Sequence, residues 1–331
     1  MNNLTNSVRV IPIECKFGPI SAFAYYIDAP EPAIIDTGVN VSVAQDIEPT
    51  LAKHGIRIED IRWILLTHGH VDHLGGAYAL WEKTGRQAKV VIPKKEARLV
   101  SDKNEHIVDY KALQGKYIID REIQEKHITM LTTDIGGSIE PNLEVVDGDS
   151  INLGGDITVK VIETPGHSIG SVTFVLNGLD WAFAADAVQM YGGASGLPTI
   201  ENPCDYRKSV QRLIEEVRPK RLFLGHPFRN IDGEMQSAQI EGEQVQVVLQ
   251  ASLDMDAKLR EVVEQFFTEE PVSKQHELYG PFWPIASEIG YSGDPRNLPC
   301  AFFVTMNGYR EELIGSHINR EEETLNDSKE V

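Results

Sequence analysis

The stretch that most constrains this chain is Thr67-His68-Gly69-His70-Val71-Asp72-His73-Leu74-Gly75-Gly76, in which four potential metal ligands fall within six residues. It follows the apolar, strand-like run Ile61 to Leu66 and precedes the apolar, helix-like segment Leu74 to Trp81, so it occupies a strand-to-helix loop. A helix would put His68 and Asp72 on one face and His70 on another, whereas a tight loop can turn all four side chains toward one point. The glycines allow the sharp turn and the close backbone approach that such a loop needs. Imidazole and carboxylate donors without thiolate suit zinc, iron or manganese.

Upstream, Val8 to Glu14, Ser21 to Ile27 and Ala33 to Asp36 read as short strands separated by turn residues, an opening β-meander. Asp36 ends the third strand, where a carboxylate either caps the following turn or orients a metal-bound histidine from behind. Val41 to His54 has helical apolar spacing and closes at Gly55. Downstream, Ala88 to Ile92 reads as a strand and Pro93-Lys94-Lys95-Glu96 opens a helix. The span of about 102–141 is too apolar for a solvated tether and reads as a partly helical insertion, with His106 and His127 as packed or surface residues rather than ligands. From Leu143 to Ala184 five short strands predict a second meander. His167 and Asp186 each follow one of its strands. Pro203 to Val217 reads as a helix capped by Asn202, and the strand Arg221 to Leu224 ends in Gly225-His226-Pro227.

At 331 residues, one large domain with an appended piece, or two domains, is expected. The 31 Lys+Arg against 50 Asp+Glu give a formal charge of -19, which disfavours nucleic acid and anionic membrane surfaces as partners. Cys15, Cys204 and Cys300 are odd in number and scattered, so they form neither a disulfide framework nor a cysteine zinc site. No signal-peptide pattern and no run of eighteen apolar residues is found, which leads to the expectation of a cytoplasmic protein. Past Gly233, Met235 to Phe267 predicts one long or two shorter amphipathic helices. Pro281-Phe282-Trp283-Pro284 and the apolar stretch Ala301 to Met306 follow, and the charged tail Arg320 to Val331 reads as disordered.

His68-x-His70-x-Asp72-His73, followed in order by His167, Asp186 and His226, resembles the dinuclear form of the metallo-β-lactamase-fold hydrolase superfamily. The resemblance spans about the first 230 residues and implies an α+β fold, the αββα metallo-β-lactamase sandwich. The division it implies is a catalytic domain at 1–234, with the insertion at about 102–141, and a C-terminal, largely helical extension with a charged tail at 235–331. By similarity, His68, His70 and His167 would hold one metal, Asp72, His73 and His226 the other, and Asp186 would bridge them. Two Zn2+ ions are the expected cofactors, with iron or manganese as alternatives. The candidate catalytic residues are Asp72, Asp186 and Tyr191, the last as a group that could polarise a carbonyl oxygen.

The subfamily patterns narrow the activity. The β-lactamases of the superfamily do not use the whole ligand set, and flavodiiron proteins have Glu in place of His70 and carry a flavodoxin domain. Glyoxalase II enzymes have a Gly-Cys-Gly-Arg stretch after the bridging aspartate, where this chain has Ala187-Val188-Gln189-Met190-Tyr191. Acyl-homoserine lactonases place a tyrosine three residues after it, against five here. The expected activity is hydrolysis of a small carboxylic ester, thioester or lactone by a hydroxide bridging two metals. Tyr110, Tyr117, Tyr191, Phe282 and Trp283 are candidates to wall its apolar pocket. The alternatives are a phosphodiesterase or nuclease on the same scaffold, or a binding protein retaining the metal site. The extension either packs on the core alone, or walls the pocket or forms a homodimer surface.

Overall fold

The computed structural model describes residues 8–118, 120–190, 197–229, 234, 236–267, 287–291 and 302–327. Two six-stranded sheets form its centre. The first contains β1 (Arg9–Phe17), β2 (Ile20–Asp28), β3 (Ala33–Ile35), β4 (Trp63–Leu65), β5 (Lys89–Pro93) and β6 (Leu143–Val145), side by side in chain order. The second contains β7 (Ser150–Asn152), β8 (Thr158–Glu163), β9 (Val172–Leu176), β10 (Trp181–Ala185), β11 (Arg221–Leu224) and β12 (Gln239–Glu241), likewise in chain order.

The period-two side-chain alternation of these strands sorts the apolar residues into layers. Tyr25, Ile27, Ile35, Leu65 and Val91 of the first sheet meet Val159, Val161, Phe174, Phe183 and Phe223 of the second in one buried cluster. Their alternates Ala24, Tyr26, Ile34, Ile64 and Val90 face outward onto the helical segment 43–53, which ends in α1 (Glu48–Lys53), and onto α2 (Val71–Leu74), α3 (Ala77–Lys83) and α4 (Ala97–Ser101). On the far side, Ala182, Ala184, Leu222 and Leu224 pack against α7 (Pro203–Arg212) and two long helices of the extension. This is the expected αββα sandwich. Phe183 and Phe223 stack at 4.2 Å, and Tyr25 meets both edge-on at 5.5 and 5.1 Å. Burying each such ring stabilises the fold by roughly 1.5–3 kcal/mol, so Phe183→Ala would open the sheet-to-sheet contact at its centre.

The expected helix at Leu74 to Trp81 is two helices, because Gly75 and Gly76 let neighbouring backbones approach: Gly136 N–H donates to Gly75 O at 3.1 Å and Gly76 N–H to Gly38 O at 2.9 Å. The insertion folds as α5 (Glu105–Leu113) and α6 (Arg121–Asp134), the latter capped by Asp120, which accepts from Glu122 N and Ile123 N. The strand at Leu143 does not open the second meander. It pairs parallel to β5 as the edge of the first sheet. In the extension, β12 precedes the helix expected from residue 235, pairing antiparallel with β11, and α8 (Glu243–Phe267) begins only after Gly242, whose φ is +61°. α9 (Phe302–Asp327) carries helical backbone into the tail that its charge content marks as disordered. Among the described residues no helix is long and apolar enough to cross a membrane.

Candidate metal centre

The loops after β4, β8, β10 and β11 all end at the same edge of the sandwich, which is how His73 and His226, 153 positions apart in sequence, reach one point. His68 and His70 lie in the loop after β4, Asp72 and His73 in the first turn of α2. His167 follows β8, Asp186 follows β10 and His226 follows β11. Two features set Asp186. The β10–β11 register shifts between Phe183 and Ala185, and Ala185 has φ +43°, a left-handed conformation costing roughly 1–2 kcal/mol outside glycine. Strain at this position is tolerated because packing and pairing on both sides fix the backbone.

The seven side chains expected as ligands converge. His70 Nδ1 and His68 Nε2 lie 2.7 and 3.1 Å from His167 Nε2. His73 Nε2 lies 3.2 Å from His226 Nε2, which is 3.4 Å from Asp72 Oδ2. Asp186 stands between the two groups, with Oδ2 at 3.4 Å from His167 Nε2 and 3.2 Å from His226 Nε2, and Oδ1 at 3.5 Å from His73 Nε2.

Behind the cluster, the outer nitrogens of four of the five histidines have a hydrogen-bond acceptor, and such a bond favours the tautomer that turns a lone pair inward. His226 Nδ1–H donates to Ser21 O at 2.7 Å and His167 Nδ1–H to Thr199 O at 2.8 Å. His73 Nδ1–H donates to Asp36 Oδ2 at 2.9 Å. His68 Nδ1–H donates to Thr67 Oγ1 at 3.0 Å, and that hydroxyl donates to Asp36 Oδ2 at 2.8 Å. Asp36, at φ +57°, also accepts Thr67 N–H at 2.9 Å. It therefore both fixes the turn and orients two histidines, one directly and one through Thr67. His70 Nε2 faces Glu201 at 3.8 Å, an electrostatic contact longer than a hydrogen bond. Gln189 Nε2 lies 2.8 Å from Thr199 O, while its Oε1 accepts Thr199 N–H at 3.0 Å, bracing the loop behind His167.

The donor set fits cations. Imidazole nitrogens that face one another across about 3 Å cannot each carry a proton, and Asp186 Oδ1 is buried without a hydrogen-bond partner. The protonation pattern reflects that conflict. Burial pulls His68 down, and likewise brings His167 to about 3 despite Asp186. At His226 burial is outweighed by Asp186 and Asp72, which lift it to about 10; at His70 it is outweighed by Glu201, which lifts it to about 9. Burial would raise Asp186, but His226, His73 and His167 hold it well below the carboxylate range. Three groups could each hold an ion: His68, His70 and His167; His68, His73 and Asp186; and Asp72, His73 and His226.

A cleft of about 400 Å³ opens onto this cluster. Leu99, Tyr110, Leu113, Leu131, Leu197 and Phe228 line it, with Val304 contributed by α9. The insertion is thus one wall and the extension touches another. His106 and His127 are packed, as expected: His106 Nε2 bonds Leu99 O at 2.9 Å and His127 Nδ1 bonds the Tyr110 hydroxyl at 2.8 Å. Among the described residues, Arg98 is the one Lys or Arg in the lining, and it pairs with Glu105 at 2.8 Å and Asp109 at 2.6 Å. Tyr191, Phe282, Trp283 and the side chain of Tyr117 lie outside the described residues.

The fold and site define an αββα protein with a histidine- and aspartate-rich centre at one sandwich edge. The profile described as metallo-beta-lactamase superfamily matches residues 17–226. A crystal structure of a metallo-beta-lactamase family protein from Thermus thermophilus superposes with TM-score 0.67 at 20% identity, covering 95% of each chain, so the shared fold includes the C-terminal helices. A hydroxyacylglutathione hydrolase of Rhodopseudomonas palustris (strain BisB5) is 28% identical over 191 residues, 56% of this chain and 53% of that protein. A beta-lactamase hydrolase-like protein of Xylella fastidiosa (strain Temecula1 / ATCC 700964) is 29% identical over 173 residues, 51% of this chain and 33% of that protein. The chain thus spans about a third to a half of the length of these relatives. It belongs to the metallo-β-lactamase superfamily.

Proposed function

We propose that the protein is a dinuclear metal-dependent hydrolase of carboxylic esters, thioesters or lactones. In this reading His68, His70 and His167 hold one ion, Asp72, His73 and His226 the second, and Asp186 bridges them. Zinc is the expected metal, with iron or manganese as alternatives. Two ions so held would supply an activated water and polarise the carbonyl. The chain's own part is to keep four imidazoles in the ligating tautomer through Asp36, Thr67, Thr199 O and Ser21 O, with Glu201 facing the fifth at 3.8 Å, and to seat an apolar acyl group against Leu99, Tyr110 and Leu131. Tyr191 is proposed to donate to the carbonyl oxygen. We read 1–234 as the catalytic domain and 235–331 as an extension that helps to wall the cleft through Val304.

The observation that carries the choice of substrate is the charge of the cleft. Among its described lining residues the one guanidinium is neutralised by two carboxylates, while Glu96 and Glu201, which are not among the proposed ligands, add negative charge. A phosphodiester or nucleic acid needs a cationic track. An uncharged, partly apolar acyl compound does not. The likeness to proteins named hydroxyacylglutathione hydrolase supports acyl hydrolysis, whereas the anionic glutathione moiety finds no unpaired cation among these residues.

The test compares kcat/KM, at equal metal loading, for short and medium acyl esters, thioesters and lactones against bis-aryl phosphodiesters and RNA. The acyl substrates should be preferred. A preference of about a hundredfold for phosphodiesters, roughly 2.7 kcal/mol of transition-state stabilisation, would transfer the assignment to a phosphodiesterase.

A further inference from the structure

We propose that Glu96 is a positioning residue that clamps the loop of His68 and His70 to the loop of His167, and thereby sets the spacing of that ligand group. The proposal rests on the reading of these three histidines as ligands of one ion.

Glu96 closes the short helical turn between β5 and α4 and is 2% exposed. Burying a carboxyl group is costly unless its oxygens are used. Its Oε1 accepts Ser168 Oγ–H at 2.5 Å and Gly170 N–H at 2.9 Å, and Ser168 Oγ lies 2.7 Å from Ser171 Oγ. These donors belong to the loop that begins at His167. Oε2 has no hydrogen-bond partner. It faces Gly69, the residue between His68 and His70, where an added Cβ would stand 2.9 Å from it and 2.2 Å from Leu99 Cδ1, so Glu96 and Leu99 together fill the space over that glycine. On the other side, an added Cβ at Gly170 would stand 2.6 Å from Glu96 Cγ and 3.0 Å from Cδ.

The glutamate side chain is therefore wedged between two glycines, one from each ligand loop. Neither glycine has a positive φ, so neither is needed for backbone freedom. Both are needed for room. A backbone bond, Val172 N–H to Thr67 O at 3.0 Å, joins the loops at their base. Glu96 fills and ties the part beyond it, hydrogen-bonded to the His167 side and in steric contact with the Gly69 side. The facing nitrogens of His68, His70 and His167, at 2.7 and 3.1 Å, lie on the same two loops. The hydrogen bonds of the clamp join Glu96, Ser168, Gly170 and Ser171, and none of them involves Asp72, His73 or His226.

The experiment measures the stoichiometry and affinity of Co2+ by chelator competition, with the visible spectrum of each bound ion, in wild type, Glu96→Gln, Glu96→Leu and Gly170→Ala. The Gln carbonyl oxygen can accept both donors, so Glu96→Gln should bind both ions within about threefold of wild type. Glu96→Leu should weaken one ion about tenfold or more, the scale for a supporting residue, with the other unchanged and its spectrum intact. Gly170→Ala, which displaces the clamp without removing it, should produce the same selective loss and serves if the Leu variant does not fold. Unchanged binding in either variant, equal weakening of both ions, or a Gln variant as impaired as the Leu variant overturns the clamp while leaving the metal reading standing. Wild-type protein that binds no transition metal overturns both.

Discussion

Asp36→Asn is the perturbation whose consequences the structure defines most closely. In the native site Oδ2 accepts two hydrogens, from His73 Nδ1 at 2.9 Å and from Thr67 Oγ1 at 2.8 Å, while Oδ1 accepts Thr67 N–H at 2.9 Å. Asparagine keeps the size and tolerates the left-handed backbone at φ +57°, so the turn should survive. With Oδ1 retained for the Thr67 amide, an NH2 group replaces Oδ2 and faces two donors. His73 is then driven to the tautomer with its proton on Nε2, the nitrogen that faces His226 and Asp186. Losing a partner of this kind weakens metal binding about 10–100-fold, or roughly 1.4–2.7 kcal/mol. Because Thr67 relays the same carboxylate to His68, both ion sites should weaken, the Asp72/His73/His226 site more. Thr67→Val, which removes only the relay, should weaken only the His68/His70/His167 site. Chelator competition on the two variants measures this. If Asp36→Asn leaves both affinities within about twofold, or if Thr67→Val weakens the two sites equally, the relay is refuted.

Three other expectations follow from separate parts of the molecule. Asp186→Ala should lose metal occupancy and hydrolysis together while far-ultraviolet circular dichroism is retained, since two neighbouring cations would lack their shared anion; unchanged turnover contradicts this. Leu259→Ala, at a fully buried position of α8 in the cluster shared with β10 and β11, should cost about 2–5 kcal/mol in a urea melt, and a near-zero effect would mean that the extension does not stabilise the sandwich. Arg212 holds the Asp147 carboxyl below its ordinary value of 3.8. That pair's stabilisation is therefore present above pH 3.8 and lost as pH falls through the lower folded value. Because both side chains are substantially exposed, Asp147→Asn should remove no more than about 0.5 kcal/mol, seen as a flatter acid limb of Tm against pH.

The strands and the seven clustered residues were legible because their signals are local and repeated. Ala33–Ile35 and Trp63–Leu65 are short apolar runs bounded by turn residues, and each of His167, Asp186 and His226 ends a run of that kind. Asp36 could be given two roles from its strand end, and the geometry assigns it both. The supporting contacts were not legible where a backbone group makes them: Ser21 and Thr199 act through carbonyl oxygens, which leave no side-chain signature. Glu96 reads in sequence as the opening of a helix, since Ser168 and Gly170, which give it meaning, come 72 and 74 residues later. β6 and β12 are three-residue edge strands whose sheet is decided by which neighbour offers a free edge.

That seven side chains on four loops hold two transition-metal ions bridged by Asp186 is tested most directly by elemental analysis of metal-replete, gel-filtered protein, paired with native mass spectrometry of the same sample. About two transition-metal ions per chain are expected, with a matching mass increase that disappears on chelation. A reproducible value near zero or one per chain contradicts the dinuclear centre.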